Sequence, residues 1–354
     1  MLRRIRLAQL MMDKACRKFG RPIRIMEICG THTVSIFRNA IRESIPPMLK
    51  ILSGPGCSVC VTDTGLLEQI FSIAQRKDVI LATRGDLLSV PVDSGRQKLM
   101  EIPSTIAVTS ILEAIELAKI HQNKTVVFAA IGFGICVPGT AVAIEQAQRE
   151  GVDNFCIISG LKEIVPAMKA LLTEKNHQID AFLCCGNMSA ISGYDIYNPI
   201  MNEFNVPCLP TGFEPMQLIE GIAEICRQLI EGKASQCYDF AVSLTAEGNK
   251  IAQKYTADYF DVVDDYWRGF GKIEKSALRL KDKYDKFDAH KRFGIKRTTT
   301  EDVSGCRCGE VICGIIEPRQ CDMYGKECTR QNPLGPCMAS SEGACRTWQK
   351  YSRK

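Results

Sequence analysis

Short apolar, β-branched runs alternate with helical patterns from about residue 23 to residue 244, and this alternation restricts the fold more than any other feature. A strand buried on both faces reads as a continuous apolar run, and parallel strands need helical crossovers between them. Predicted strands cover 25–28, 79–82, 125–131, 155–159, 181–185, 207–209 and 240–244. Predicted helices of 3.6-residue period cover 66–75, 111–120, 141–150, 165–172 and 216–231. The pattern predicts an α/β chain, and 354 residues accommodate two such units, the second starting near residue 125. Past residue 238 the character changes to a helix around Glu247-Gly248-Asn249, then a polar, aromatic stretch over 261–271. Beyond Thr298 the tail is rich in Gly, Cys and Pro and almost without periodicity. Such a tail cannot form a core of ordinary size without a covalent or metal staple.

Cysteine is the compositional outlier, with 18 residues, seven of them within the last 49. Secreted disulfide scaffolds are short, and this chain is not. In a reducing compartment such cysteines are buried apolar residues, metal ligands or redox thiols. A net charge of +5 without a long Lys/Arg run leaves no nucleic-acid footprint. The apolar stretch after Met1-Leu2-Arg3-Arg4 is too short for a signal peptide, and Ile5, Leu10, Met12 and Cys16 recur at helical spacing. No window reaches the ~18 apolar residues that span a bilayer. The expectation is a soluble, cytoplasmic protein with neither nucleic acid nor membrane as partner.

Three constellations carry possible chemistry. The tail contains Cys306, Cys308 and Cys313, then Cys321, Cys328, Cys337 and Cys345, the last four separated by six, eight and seven residues. Four thiolates on a loop-rich segment can wrap a [4Fe–4S] cube, one per iron. A Zn(Cys)4 site or unliganded thiols are the alternatives, although zinc knuckles use tighter Cys pairs. Cys29-Gly-Thr-His32-Thr33 follows the first predicted strand, at the kind of strand end where parallel sheets bind ligands. There Cys29 and His32 can share a metal or act as nucleophile and base; the plainer reading is a buried Cys and a helix start capped by Thr33. Gly54-Pro-Gly56-Cys57-Ser-Val-Cys60 places a C-x-x-C at a helix start, which suits reversible disulfide chemistry or metal binding, with simple burial as the alternative. Gly132-Phe133-Gly134 lacks the third glycine of a dinucleotide fingerprint, Val137 standing there, and no Walker A sequence is present. His121, His177 and His290 lie in polar helical surroundings and read as surface residues.

Together these segments resemble the HypD family of hydrogenase maturation factors. The matching pieces are the Cys29 and Cys57/Cys60 motifs, Pro210-Thr-Gly-Phe-Glu214-Pro215, Trp267-Arg-Gly-Phe-Gly271, Phe287-Asp-Ala289 and the tail from Cys306 to Ser340-Ser-Glu-Gly-Ala-Cys345. The resemblance implies two Rossmann-like parallel-sheet domains plus a C-terminal cysteine-rich iron–sulfur domain. The expected units are 24–122, 123–237, and 1–23 together with 238–354. It further implies a monomer that forms hetero-complexes with a HypC-like chaperone and a HypE-like cyanide donor to assemble the Fe(CN)2CO unit of [NiFe]-hydrogenase. On that resemblance Cys29 binds transient iron with His32 beside it, and Cys57 and Cys60 are the redox pair. Cys321, Cys328, Cys337 and Cys345 then hold a [4Fe–4S] cluster. Departures fall in the α/β part. Gly132-Phe-Gly-Ile-Cys136-Val-Pro138 replaces a family Gly-Phe-Glu-Thr-Thr-x-Pro, and Cys185-Gly-Asn187-Met-Ser189 replaces Pro-Gly-His-Val-Ser. Arg84-Gly-Asp86-Leu-Leu-Ser89-Val-Pro91 replaces Phe-Gly-Asp-Met-Met-Arg-Val-Pro, and Ser58 stands at a family Pro. These losses motivate a second expectation: a divergent iron–sulfur thiol/disulfide redox protein acting on another iron or thiol target.

Overall fold

The computed structural model describes residues 2–92, 97–175, 177–235, 244–300 and 305–352. Strands in chain order are β1 Ile23–Glu27, β2 Leu49–Ser53, β3 Val79–Thr83, β4 Pro91–Val92, β5 Gln97–Lys98, β6 Thr105–Ala107, β7 Thr125–Phe133, β8 Phe155–Lys162, β9 Ala181–Cys185, β10 Cys208–Thr211, β11 Phe260–Trp267 and β12 Gly271–Leu280. One sheet has the order β10-β9-β1-β2, all parallel. The other has the order β11-β12-β8-β7-β3-β6, parallel except at the β11–β12 hairpin and its junction with β8. The α/β class expected from the sequence is the class observed. Strands β7 and β8 are buried along almost their whole length, as continuous apolar runs between helical layers must be.

The sheets do not divide the chain at 122/123. The first takes strands from 23–53 and 181–211, and the second takes 79–162 and 260–280. Local periodicity specifies that a strand exists, but its partner is chosen by crossovers and packing. The N-terminal helix Leu2–Phe19 also lies with the first sheet: Ala8, Met12 and Ala15 share a core with Ile23, Ile25, Leu218 and Ile222. The 261–271 stretch is half of a hairpin that extends the second sheet. Predicted strand 240–244 lies, but for its last residue, outside the described residues. No helix among the described residues is long and apolar enough to cross a membrane.

A buried ion network fixes the second sheet to the segment that leads into the tail. Lys162 Nζ, at the end of β8, lies 3.2 Å from Asp265 Oδ2 and 2.8 Å from the Tyr266 carbonyl. Arg279 and Arg297 also reach Asp265, and Arg297 continues to Asp63, the N-cap of helix Thr64–Ala74. Burial opposes the charge on Asp265, but Lys162, Arg297 and Arg279 outweigh it and hold the carboxyl below its ordinary value. Asp265→Asn strands the Lys162 charge in the core. We expect a loss of ~3–5 kcal/mol, read from the urea unfolding midpoint.

Candidate metal centre and redox thiols

Cys29 sits just past the C-terminal end of β1, where a parallel sheet exposes its loops, and is the N-cap of helix Gly30–Arg38. Its amide donates to Glu27 Oε2 at 3.2 Å, and the same buried carboxyl accepts from Thr33 Oγ1. Burial pushes Glu27 up to about 8, so this is a carboxyl that leans toward its neutral form. His32 is fully buried, with Nε2 3.1 Å from the Gly212 carbonyl and 3.2 Å from Thr211 Oγ1. Burial lowers its pKa to about 4, so it is a neutral imidazole at pH 7. Nδ1 is buried without a hydrogen-bond partner among the described residues. The ring thereby ties the Cys29 helix to the end of β10.

Register brings an unforeseen thiol to Cys29. β1 and β9 pair as Glu27↔Leu183, and the Ile28 amide continues the ladder to the Leu183 carbonyl at 3.1 Å. Two residues on, Cys29 and Cys185 therefore stand side by side. The interaction of the two thiols, together with burial, raises Cys29 well above the ordinary value, and the same interaction pulls Cys185 below it against the opposing effect of burial. Both line a cleft with Ser58, Arg84, Cys136, Asn187 and Glu342.

The glycine-rich loop after β2 closes over Cys29. Gly30 donates to the Gly56 carbonyl at 3.0 Å, and a Cβ on Gly56 would fall 2.2 Å from the Cys29 amide nitrogen. Only glycine permits that approach. Cys57 and Cys60 are joined by a disulfide at the start of helix Ser58–Val61. The tail covers this disulfide. Ser340 Oγ lies 3.4 Å from Cys57 Sγ, and Cys60 Sγ lies 3.9 Å from the Pro336 carbonyl. Ser341 Oγ donates to Asp86 at 3.0 Å, and Thr31 Oγ1 donates to Glu342 at 2.7 Å. The segment 336–342 thus touches the Cys29 helix, the disulfide and the Asp86 turn at once.

Cys321, Cys328, Cys337 and Cys345 line one largely apolar cavity with Met323, Tyr324, Leu334 and Met338. Cys306 and Cys308 line it too, so its thiols outnumber the four that a cube requires. Hydrogen bonds from Cys306 and Cys337, with Arg268 nearby, hold the Cys308 thiol well below its ordinary value. Contacts with Cys308 and Cys345, together with burial, push Cys337 well above it. No group of three or more His, Cys, Asp or Glu among the described residues closes to single-metal geometry. The motif Trp267-Arg-Gly-Phe-Gly271 is the clamp. Arg268 donates to the Thr62 carbonyl at 3.2 Å and to Thr64 Oγ1 at 2.9 Å. Gly269, at φ +82°, crosses Gly309 so closely that a Cβ would meet Gly309 Cα at 2.7 Å. The hairpin turn therefore locks the disulfide helix and the tail together.

The altered motifs also lie at the cleft. Oxygens of the Glu163 carboxyl, just past β8, stand 3.6 and 3.8 Å from where a Cβ on Gly134 would be. Burial raises Glu163 to about 7. Its folded pKa exceeds the ordinary 4.5, so stability declines as pH rises from 4.5 toward about 7. Glu163→Gln is expected to flatten that decline, measured as unfolding midpoint against pH. Cys136 Sγ lies 3.8 Å from Arg84 Nη2.

The structure thus brings Cys29, Cys57 and Cys60 to one end of the first sheet and gathers the four tail cysteines in one cavity. His32 lies on the same helix as Cys29 but engages β10. His290 corrects an expectation: it is buried, 3.0 Å from Gln69 Oε1, because its short helix packs under the second sheet. Sequence reasoning missed Cys185, although its place at a strand end was a usable signal. It also missed Glu163, and it singled out Arg268 and Ser340 only as members of matching motifs, without a role.

Comparison with known proteins gives the family. The family described as "HypD: Hydrogenase formation hypA family" matches residues 5–352. The hydrogenase expression/formation protein HupD of Azotobacter chroococcum mcd 1 is 38% identical over 345 residues, covering 95% of this chain and 91% of its own. The hydrogenase maturation factor HypD of Azotobacter vinelandii is 38% identical over 344 residues, covering 94% and 90%. That of Escherichia coli strain K12 is 36% identical over 339 residues, with the same coverage. With matching motifs in order along nearly its full length, this chain belongs to the HypD family of hydrogenase maturation factors.

Proposed function

We propose that this chain is a cytoplasmic scaffold for assembling the Fe(CN)2CO unit of [NiFe]-hydrogenase, working with a HypC-like chaperone and a HypE-like cyanide donor. The observation that carries this reading is the contact of one tail segment, 336–342, with both the Cys29 helix and the Cys57–Cys60 disulfide. Cys29 would hold the cargo iron, since a soft thiolate suits iron bearing π-acceptor ligands. His32, neutral and tied to Thr211 and Gly212, positions the Cys29 helix. As a dithiol, Cys57 and Cys60 release two electrons and two protons on forming their disulfide.

Cys321, Cys328, Cys337 and Cys345 fit a [4Fe–4S] cluster: they surround an apolar cavity rather than converging on a point, as one thiolate per iron requires. Such a cluster supplies one-electron redox chemistry when bound. The buried cation Arg268 offsets negative charge on that side. Zinc in the same cavity is the alternative. Anaerobic metal analysis is expected to give about four irons with matching sulfide; one zinc per chain rejects the cluster.

A second reading, a redox protein acting on another iron or thiol target, is favoured by the altered cleft at Gly134, Cys136 and Cys185. Complementation decides between them. Restored hydrogenase activity in a strain lacking its own HypD supports the scaffold, and failure by a well-expressed, cluster-loaded chain supports the second reading.

A further inference from the structure

We infer that Cys29 and Cys185 form a two-thiolate chelate for the metal ion held in the cleft, so that one iron is bound by two sulfurs from this chain. The inference rests on the reading of Cys29 as the iron thiolate and deepens it. Its basis is sheet geometry. Neighbouring strands run ~4.8 Å apart, and residues opposite one another at their ends keep that spacing. The β1–β9 register puts Cys29 and Cys185 opposite, each as the last extended residue before a helix. Both then face the same cleft.

The second observation is chemical. Both donors on this cleft are cysteine sulfurs, soft ligands of the kind that suits low-valent iron. Binding ferrous iron balances simply: two S–H bonds break, two Fe–S bonds form and two protons leave, with no change of oxidation state. Two thiolates on one side leave the opposite side of the ion open to the cleft, where diatomic ligands can enter. Cys136, the third thiol on the cleft, is held by Arg84 and packs against Gly132, and is not part of the pair.

Cobalt(II) is a suitable probe, because thiolate-to-cobalt charge transfer reports sulfur ligation directly. The cluster-loaded full chain is titrated anaerobically, and difference spectra remove the tail's absorption. Wild type and Cys16→Ser, which lies on the N-terminal helix, are expected to give the same band. Cys29→Ser should reduce the band per bound cobalt to about half or less, because only Cys185 remains, and weaken binding at least ~10-fold. Cys185→Ser should reduce the band per bound cobalt to about half and weaken binding at least ~10-fold, the scale on which even supporting contacts of a metal ligand act. Retained tail absorption shows that each variant is folded. A Cys185→Ser titration that superimposes on wild type, with Cys29→Ser abolishing the band, overturns the chelate and leaves Cys29 as sole ligand. A Cys29→Ser titration that superimposes on wild type overturns both the chelate and the reading of Cys29.

Discussion

Cys29→Ser is expected to reduce hydrogenase maturation to the level of a strain without the chain, while the variant folds normally. The expectation follows from what the side chain does and does not touch. Cys29 caps helix Gly30–Arg38 through its backbone, with no side-chain cap bond, so the helix start survives the change. The amide bond to Glu27 and the Gly30–Gly56 bond are likewise backbone contacts. A serine hydroxyl fits the same space but is a hard, weakly acidic donor, a poor ligand for iron carrying cyanide and carbon monoxide. The loss should therefore be in iron retention, with thermal unfolding within about 1 kcal/mol of wild type, since the site is not a load on the core. A variant that matures hydrogenase normally removes Cys29 from the mechanism.

Cys337→Ser should have the second-largest effect, and of a different kind. Cys337 is buried at the centre of the thiol cavity, against Cys308 and Cys345, on the turn Pro336–Ala339 that also contacts Cys60. The tail between 305 and 352 has few regular elements, so a bound cluster would supply much of its folding energy. Removing this thiol is expected to abolish bound iron and sulfide and to open the tail to proteolysis. It should also loosen Ser340 and Glu342 from the disulfide and the Cys29 helix. Cys313→Ser is the control, since that thiol bonds the Gly269 carbonyl at 3.5 Å and does not line the cavity. It should keep its iron. Equal iron loss in both variants would argue against the assigned ligand set.

These two effects concern residues to which local features of the sequence point. A thiol count, a strand end and a C-x-x-C are local features. Helix 111–120 and strand 181–185 were legible for the same reason, each from a periodic run, and both recur at the same residues. What local pattern could not supply was partnership. β1 pairs with β9 across most of the first half of the chain, and no periodicity reveals that Cys185 comes to lie beside Cys29. Glu163 facing Gly134 is a second instance, since a charged residue after an apolar strand reads as a solvated end. The hairpin β11–β12 was hidden because its outer face is polar and exposed, as in an edge strand. His290 was misjudged because the Lys and Arg beside it mask a single inward-facing position.

The scaffold reading makes one demand that no fold comparison can meet: the iron at Cys29 must carry its diatomic ligands. The direct test is the infrared spectrum of the chain co-purified anaerobically with a HypC-like chaperone from a host with the remaining maturation proteins. The account predicts stretching bands of bound CN and CO in the complex, lost in Cys29→Ser. A well-formed complex with intact tail cluster and no such bands would contradict it.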